Sequence, residues 1–436
     1  MKITKYLILV FISLLMMPDD SKGQGTVMEK YTFGNGFRFV GESGYRITMR
    51  GFVQPSYDFR TYTDTSLDET LSRFRMRRVR FRLDGNSPNQ RITWRLQVEL
   101  SGNSEADANL NRLLMDAWIG YQATKQIRIR FGQKNTPTDN RELLMRSQTL
   151  QLVERSRITS AFGTIREFGL FIDGNFKVGQ RSRLRPSLVI TTGEGDNVYT
   201  PDLGGLKYGG RLDFLPFGTF VNLGQYHQVD MMRELTPKLV FGVAYSVNEG
   251  MSSRRGRNGG DILYFDADTT LSLPDYSKFI FDFIFKYKGF SAIGEFVSTS
   301  ASVPDDIAIR QRNNGSFTDG FDVDGERDVE NYVKGRMMLG RAYNIQMGYL
   351  FKNRISVDSR YTFMDADEHS FLNNGTFYNR PQYYTFGLTK FLSKNYGFKI
   401  QGSVTYVEAD EGSNDLSGNP MDGNEWLFRF ITSISF

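Results

Sequence analysis

The chain has 436 residues, with 54 Lys and Arg against 49 Asp and Glu, two His, no Cys, and a hydrophobic content of 39%. Without Cys, a disulfide scaffold, a thiolate zinc site, a Cys nucleophile and a lipidated N-terminal cysteine are excluded, and two His exclude a His-rich metal centre. The hydrophobic content is below the ~45–50% usual for globular proteins, whereas 36 Phe and 22 Tyr make the chain rich in aromatic residues.

The first residues predict export from the cytoplasm. Two Lys residues precede an apolar run at 6–17, and polar residues follow it. A membrane-spanning helix needs ~20 apolar residues, so the shorter run fits a signal peptide, residues 1–23. A short anchor helix is the alternative. We expect residues 24–44 to form an N-terminal periplasmic segment.

Apolar and polar residues alternate repeatedly along the rest of the chain. Residues 91–100 read Arg-Ile-Thr-Trp-Arg-Leu-Gln-Val-Glu-Leu, and residues 127–131 and 354–363 repeat the pattern. A strand with this period has one apolar and one polar face. Such strands fit a soluble sandwich, in which the apolar faces pack together, and also a membrane barrel, in which they face lipid.

The lengths of the connections distinguish these two folds. Short connections such as 123–126 alternate with long ones such as 133–164 and 299–330, as is typical of bacterial outer-membrane barrels. We therefore predict an all-β fold, a transmembrane antiparallel β-barrel over residues 45–436 with short periplasmic turns and long extracellular loops. An extra hairpin within 216–235 would raise the strand number from sixteen to eighteen. The sixteen strands are expected near 45–57, 71–83, 91–100, 113–122, 127–132, 165–177, 183–192, 206–215, 236–247, 275–287, 289–298, 331–351, 354–364, 379–391, 397–407 and 425–436.

The last predicted strand ends the chain on an aromatic residue. Residues 426–436 read Trp-Leu-Phe-Arg-Phe-Ile-Thr-Ser-Ile-Ser-Phe. An aromatic edge strand invites aggregation in a soluble domain, whereas in a closed barrel it pairs with the first strand. The terminal Phe436 also resembles the signal by which outer-membrane proteins are recognised for assembly.

An arginine-rich strand provides the candidate anion-binding groups. Residues 73–83 read Arg-Phe-Arg-Met-Arg-Arg-Val-Arg-Phe-Arg-Leu, and the alternation slips at the Arg77–Arg78 pair, as in a β-bulge. Arg facing lipid at the midplane costs ~2–4 kcal/mol, so we expect these side chains to face the lumen, where guanidinium groups bind anions. The arginines expected to guide anions through the lumen are Arg75, Arg77, Arg78, Arg80, Arg82, Arg95, Arg128 and Arg130.

Two interpretations of these arginines remain open. They can give the lumen a net attraction for anions. Alternatively, they can pair with acids such as Glu99, Glu142 or Glu154 and brace a mostly neutral wall.

The long connection 133–164 contains its own apolar patch, which suggests that it packs against the barrel. We expect it to fold into the barrel and narrow the pore. A cap over the mouth is the alternative. The basic residues expected in this constriction are Lys134, Arg141, Arg146, Arg155 and Arg157.

No catalytic constellation is recognisable, and neither His227 nor His369 lies in a nucleophile motif. We therefore expect no enzymatic activity, no cofactor and no metal site. The acidic runs 261–268 and 319–328 could hold calcium, but solvated loop charge is the simpler interpretation. Outer-membrane lipid and small anions are the expected partners, and nucleic acid is not.

Several short motifs in order resemble the phosphate-selective porin family. Besides residues 73–83, they are Trp-Arg-Leu-Gln-Val-Glu at 94–99, Asp-Ala-Trp-Ile-Gly-Tyr at 116–121, Ile-Arg-Phe-Gly-Gln at 129–133 and Arg-Glu-Phe-Gly at 166–169. The resemblance is clearest over about 71–174. Where this family usually has a Phe-Lys-Glu-Pro-Phe-like stretch, the chain has Lys-Asn-Thr-Pro-Thr.

The resemblance implies a sixteen-stranded porin, usually a homotrimer, in the outer membrane of a Gram-negative bacterium. Its third long loop would fold inward, and its basic residues would guide anions, including phosphate. We therefore expect passive diffusion of small anionic solutes through an Arg-lined lumen. The alternative is a barrel without transport that acts as a structural, adhesion or secretion partner through its long loops.

Overall fold

The computed structural model describes residues 26–67, 71–101, 113–195, 203–256, 262–312 and 314–436. The predicted signal peptide, 1–23, lies outside these residues. Within them, no helix has the length and apolar character needed to cross a membrane.

One closed antiparallel barrel contains sixteen strands within the described residues, as predicted. The last strand pairs with the first strand of the barrel, with Phe428 opposite Phe59. A short hairpin, β1 (Thr26–Thr32) and β2 (Gly36–Gly41), precedes the barrel. The barrel strands are β3 Arg46–Tyr62, β4 Leu71–Asn86, β5 Ile92–Glu99, β6 Leu114–Gln122, β7 Ile127–Lys134, β8 Glu167–Gly174 continued by Phe176–Val178, β9 Ser182–Thr191, β10 Lys207–Leu215, β11 Lys238–Asn248, β12 Asp275–Tyr287, β13 Phe290–Ser302, β14 Gly340–Leu350, β15 Ile355–Ala366, β16 Gln382–Phe391, β17 Phe398–Glu408 and β18 Glu425–Ser435.

The chain terminus completes the barrel wall. The backbone N–H of Phe436 donates to the carbonyl of Gly51 at 2.9 Å, and Gly51 donates back at 3.0 Å. Any side chain at position 51 would collide with the Phe436 ring. Beyond this point β2 continues the pairing of β3, with Phe37 opposite Met49. The hairpin therefore extends the wall at the end of the barrel that carries the short turns.

The two faces of the wall differ as a transmembrane barrel requires. In β10, Lys207, Arg211 and Asp213 point inward and are buried, whereas Tyr208 and Phe214 point outward and are exposed. Outward apolar side chains meet lipid and inward polar side chains line the lumen. The alternation of the sequence thus indicates which face of each strand meets lipid and which lines the lumen.

The predicted strand 331–351 begins late, at Gly340. The residues before it form a short helix, α3 (Val329–Lys334), whose N-cap Asp328 accepts a hydrogen bond from the Asn331 backbone. Side-chain capping of this kind competes with extension of the strand. Nearby loop residues form small strands at Tyr264–Phe265, Ile309–Gln311, Phe317–Thr318, Asp322–Val323 and Glu326–Arg327.

The outer loops have an apolar core of their own. Tyr264, Phe321 and Val333 are at most 2% exposed and pack with Met251 and Met337. These loops therefore form a compact structure at the long-loop end, which is extracellular in such barrels.

Part of the inner wall is apolar. Inward-facing Val240, Ile284 and Ile293, on β11, β12 and β13, are fully buried although they face the lumen. Apolar wall residues become buried only where a segment of chain covers them. Two segments do so: residues 135–166, hereafter the inserted loop, and residues 216–237, hereafter the inner segment.

The inner segment is not the extra hairpin considered for 216–235. The inner segment contains a 3₁₀ helix, Val221–Tyr226. The inserted loop contains two short helices, α1 (Arg141–Leu144) and α2 (Arg157–Phe162). A barrel of eighteen strands is thus excluded for the described residues. The segment is long because it enters the lumen instead of turning directly back.

Candidate pore

A buried ion-pair network fixes the inserted loop to the wall. Arg141 is fully buried, and its guanidinium lies 2.9 Å from Asp213 of β10 and 2.7 Å from Asp282 of β12. Arg211 joins the same two carboxylates, and Lys278 lies 2.6 Å from Asp139 of the loop. In a buried site, the opposite charges of such pairs compensate each other for the loss of hydration. The loop is therefore attached along the β10–β13 side of the barrel.

Helix α2 seats the rest of the loop on apolar wall residues. Ile158 and Phe162 are at most 1% exposed and belong to one cluster with Ile280, Val297 and Val407. The open space lies toward β3–β7 on the short-turn side of the loop, and toward β3, β4 and β15–β18 on its extracellular side.

The predicted β-bulge on β4 is present. Gln54 of β3 pairs with Arg78, and the next residue of β3 pairs with Met76, so Arg77 is the extra residue. Arg77 and Arg78 are both buried, while Phe74 is 86% exposed on the outer face. The bulge lets two consecutive arginines point inward.

An outer cavity of about 290 Å³ lies on the extracellular side of the inserted loop. Among the described residues lining it are nine arginines and two acids, Glu154 and Glu425. Arg75, Arg77 and Arg78 of β4 contribute to it. The other arginines in this lining are Arg60, Arg155, Arg157, Arg360, Arg380 and Arg429.

An inner cavity of about 850 Å³ lies on the short-turn side of the loop. In the described chain it is lined by ten arginines and three lysines against six acids. Many of these charges are paired: Arg80 lies 2.6 Å from Glu99, Arg82 lies 2.7 Å from Asp84, and Arg130 pairs with Asp173. The lining still carries more basic than acidic groups.

The two cavities meet at Arg155, which lines both. Its guanidinium donates to the backbone carbonyls of Glu142 and Met145 at 3.2 and 3.0 Å. Beside it, Arg80 donates to the hydroxyl of Ser147 at 2.9 Å, which joins the loop to β4. Arg155, the backbone of the inserted loop and Arg80 of β4 therefore lie between the two cavities.

The structure divides the predicted site residues between these cavities. Arg75, Arg77, Arg78 and Arg157 line the outer cavity, and Arg155 lines both. Those lining the inner cavity are Arg80, Arg82, Arg95, Arg128, Arg130, Lys134 and Arg146.

Arg141 lines neither cavity, contrary to its predicted place in the constriction. Its two carboxylate partners hold it inside the wall–loop contact, where it has a structural role. Arg360 and Arg429 of the outer cavity were not predicted as site residues. Each lies on the inward parity of a predicted strand, and that parity was the available signal.

Comparison with known proteins agrees with this geometry. Residues 47–187 match the model of the family described as phosphate-selective porin O and P. Comparison with curated proteins gave no match.

Solved structures share the fold at low sequence identity. The trimer form of in-vitro folded OmpT from Vibrio cholerae has a TM-score of 0.50 and 9% identity, covering 90% of this chain and 99% of that chain. OmpF from Salmonella typhi, in complex with daunomycin, has a TM-score of 0.51 and 12% identity, covering 91% and 99%. Proteins of this class are channels of the Gram-negative outer membrane and not enzymes. The chain therefore has the fold of an outer-membrane porin barrel, and its residues 47–187 match the family described as phosphate-selective porin O and P.

Proposed function

We propose that this porin passes small anionic solutes by passive diffusion through the two cavities of its lumen, past the inner faces of β3 and β4. The observation that carries the proposal is the outer cavity, where nine arginines outnumber two acids within the described lining. Phosphate belongs to the proposed solutes because guanidinium groups bind phosphate and carboxylate with paired hydrogen bonds. A homotrimer is part of the proposal.

The proposed mechanism is electrostatic. Arginines of β4 follow the path from the outer cavity through the junction at Arg155 into the inner cavity. Their field concentrates anions, and many weak sites in series let each solute leave again. Wall acids such as Asp84 and Glu99 neutralise part of this field, so we expect preference for anions and not exclusion of cations.

Uptake into liposomes tests the proposal. Proteoliposomes containing the full barrel are supplied with anionic, neutral and cationic solutes of matched size. We expect the anionic solute to enter fastest and added salt to reduce its advantage. Equal rates for all three solutes would contradict anion preference.

The alternative, a barrel that acts through its long loops without transport, is favoured by one feature. The outer loops pack around Tyr264 and Phe321 as a folded unit and not as loose connections. In that case the same liposomes would admit none of the solutes.

A further inference from the structure

The inner segment contacts the inserted loop through Gln228. Its Oε1 accepts from the backbone N–H of Gln151 at 2.8 Å, and its Nε2 donates to Glu142 at 3.0 Å. The Gln228 backbone N–H donates to the carbonyl of Thr149 at 3.3 Å. Gln346 of β14 also donates to Gln228 Oε1, at 3.1 Å. One side chain, 1% exposed, thus joins the inner segment, the inserted loop and the wall.

The inner segment has its own attachments to the wall. Lys286 of β12 donates from Nζ to the carbonyls of Gly224 and Val229 at 2.8 and 2.9 Å. The Tyr396 hydroxyl donates to Val229 at 3.0 Å, and the Gly289 backbone donates to Asp230 at 2.7 Å. Because three separate places on the wall hold it, the segment has a fixed position beneath the loop.

Apolar contacts explain why the inner segment lies inside the lumen. Phe220 packs in one cluster with Met145 of the inserted loop and with Ile284 and Ile293 of the wall. Val229 packs with Phe391 in another cluster. In a water-filled lumen these wall side chains would be exposed, and burying them favours insertion of the segment.

Residues of the segment also line the inner cavity, among them Leu223, which is 57% exposed. Asn222 and Leu223 both have left-handed backbone conformations, with φ of 50° and 57°. This conformation is unfavourable for a residue such as Leu and persists only where surrounding contacts hold it.

We propose that residues 216–237 form a second constriction, which narrows the periplasmic end of the path and holds the inserted loop in place. The inference rests on the proposed channel function. It assigns Gln228 as the positioning residue, through which the inner segment acts on the loop that frames Arg155.

The first test shortens the segment. A two-residue Asn-Gly turn in place of residues 216–239 continues the β10–β11 register, in which Phe214 lies opposite Phe241. We expect the single-channel conductance of this variant to be at least roughly double that of the native protein, because removing the segment widens the path. A conductance equal to that of the native protein, in a variant that retains the barrel strand content, would overturn the proposal.

The second test needs no change in chain length. Gln228→Ala removes the side-chain contacts with the loop, so we expect larger open-channel current noise. Gln225→Ala is the matched control, because the Gln225 side chain is buried on the same segment and has no hydrogen-bond partner among the described residues. Equal noise in the two variants would overturn the positioning role.

The chain lacks Cys, so an engineered pair is free of competing thiols. Thr149→Cys with Gln228→Cys joins positions whose backbones already share a hydrogen bond. We expect oxidation to cross-link the pair and to quieten the current. An intact barrel that forms no cross-link would show that the segment does not lie against the loop.

These outcomes are distinct from failure of the proposed function. Conductance and noise report on the width and motion of the path, whereas anion preference is read from the charge dependence of uptake. A native protein that conducts without preferring anions would contradict the proposed function and leave the constriction standing. Absence of current from both the native protein and the shortened variant would overturn both.

Discussion

The Nη2 atom of Arg78 lies 2.8 Å from Oε2 of Glu154, and Arg77 holds the other oxygen of the same carboxylate at 2.5 Å. This contact joins the inserted loop to the bulge of β4 beside the junction of the two cavities. Burial alone would raise the pKa of Glu154, but the two guanidinium groups hold that pKa well below its usual value. Glu154 is therefore a fixed negative charge in the lining of the outer cavity.

Replacing this charge gives the first prediction. Glu154→Gln leaves two arginines without their carboxylate, and one charge ~7 Å from the path changes the potential by about 1 kT in water. Because the anion gains and the cation loses this energy, we expect the anion-to-cation permeability ratio to rise roughly sevenfold. Bilayer recordings measure this ratio. Glu330→Gln, an exposed site on α3, is the control, and a ratio as low as in that control would contradict the prediction.

The second prediction concerns Arg146, which is exposed to the inner cavity. Among the described residues its guanidinium has neither an ion-pair nor a hydrogen-bond partner. Arg146→Gln should therefore reduce anion preference with little loss of stability. Arg181→Gln, in an exposed short turn, is the matched control. Selectivity unchanged in both variants would show that Arg146 lies off the path.

The third prediction concerns stability. Arg141→Leu leaves Asp213 and Asp282 with Arg211 as the remaining cation of this network, so one buried negative charge is uncompensated, and breaking a buried pair costs ~3–5 kcal/mol. We expect a lower unfolding midpoint in urea-containing detergent. Arg141→Lys keeps the charge but loses the forked geometry, so it should recover part of the loss. A midpoint for Arg141→Leu equal to that of the native protein would refute the anchoring role.

The fourth prediction concerns pH. Burial, together with the nearby charges of Lys286 and Arg146, lowers the pKa of His227 to about 3 from 6.5. The inserted state therefore favours neutral His227, and its stability falls as the pH drops from about 6.5 toward 3. Hydrogen exchange of residues 216–237, corrected for intrinsic rates, should increase from pH 7 to pH 4. In His227→Gln the increase should be smaller. An increase identical to that of the native protein would contradict the assignment of the pH dependence to His227.

The barrel could be predicted from sequence because each strand has a period of two and the connections alternate in length. The inward direction of Arg75–Arg82 followed from the same period, including the slip at Arg77–Arg78. Arg360 and Arg429 were harder to assign, because they are far apart in sequence and approach Arg77 only when β18 pairs with β3.

The inner segment could not be predicted from alternation alone. Residues 279–285 read Phe-Ile-Phe-Asp-Phe-Ile-Phe, so both faces of β12 are apolar around Asp282. Inward Ile280 and Ile284 pack against inserted chain, whereas outward Phe279 and Phe281 are 38% and 40% exposed. Such a run indicates that something covers the inner face, but not which segment covers it.

The central claim is that the arginines lining the two cavities give the path its preference for anions. The most direct measurement is the reversal potential of the native protein in a planar bilayer separating concentrated from dilute KCl. We predict the sign expected for chloride, reduced toward zero when Arg75, Arg77 and Arg80 are replaced by Ala. A native reversal potential with the sign expected for potassium would contradict the claim.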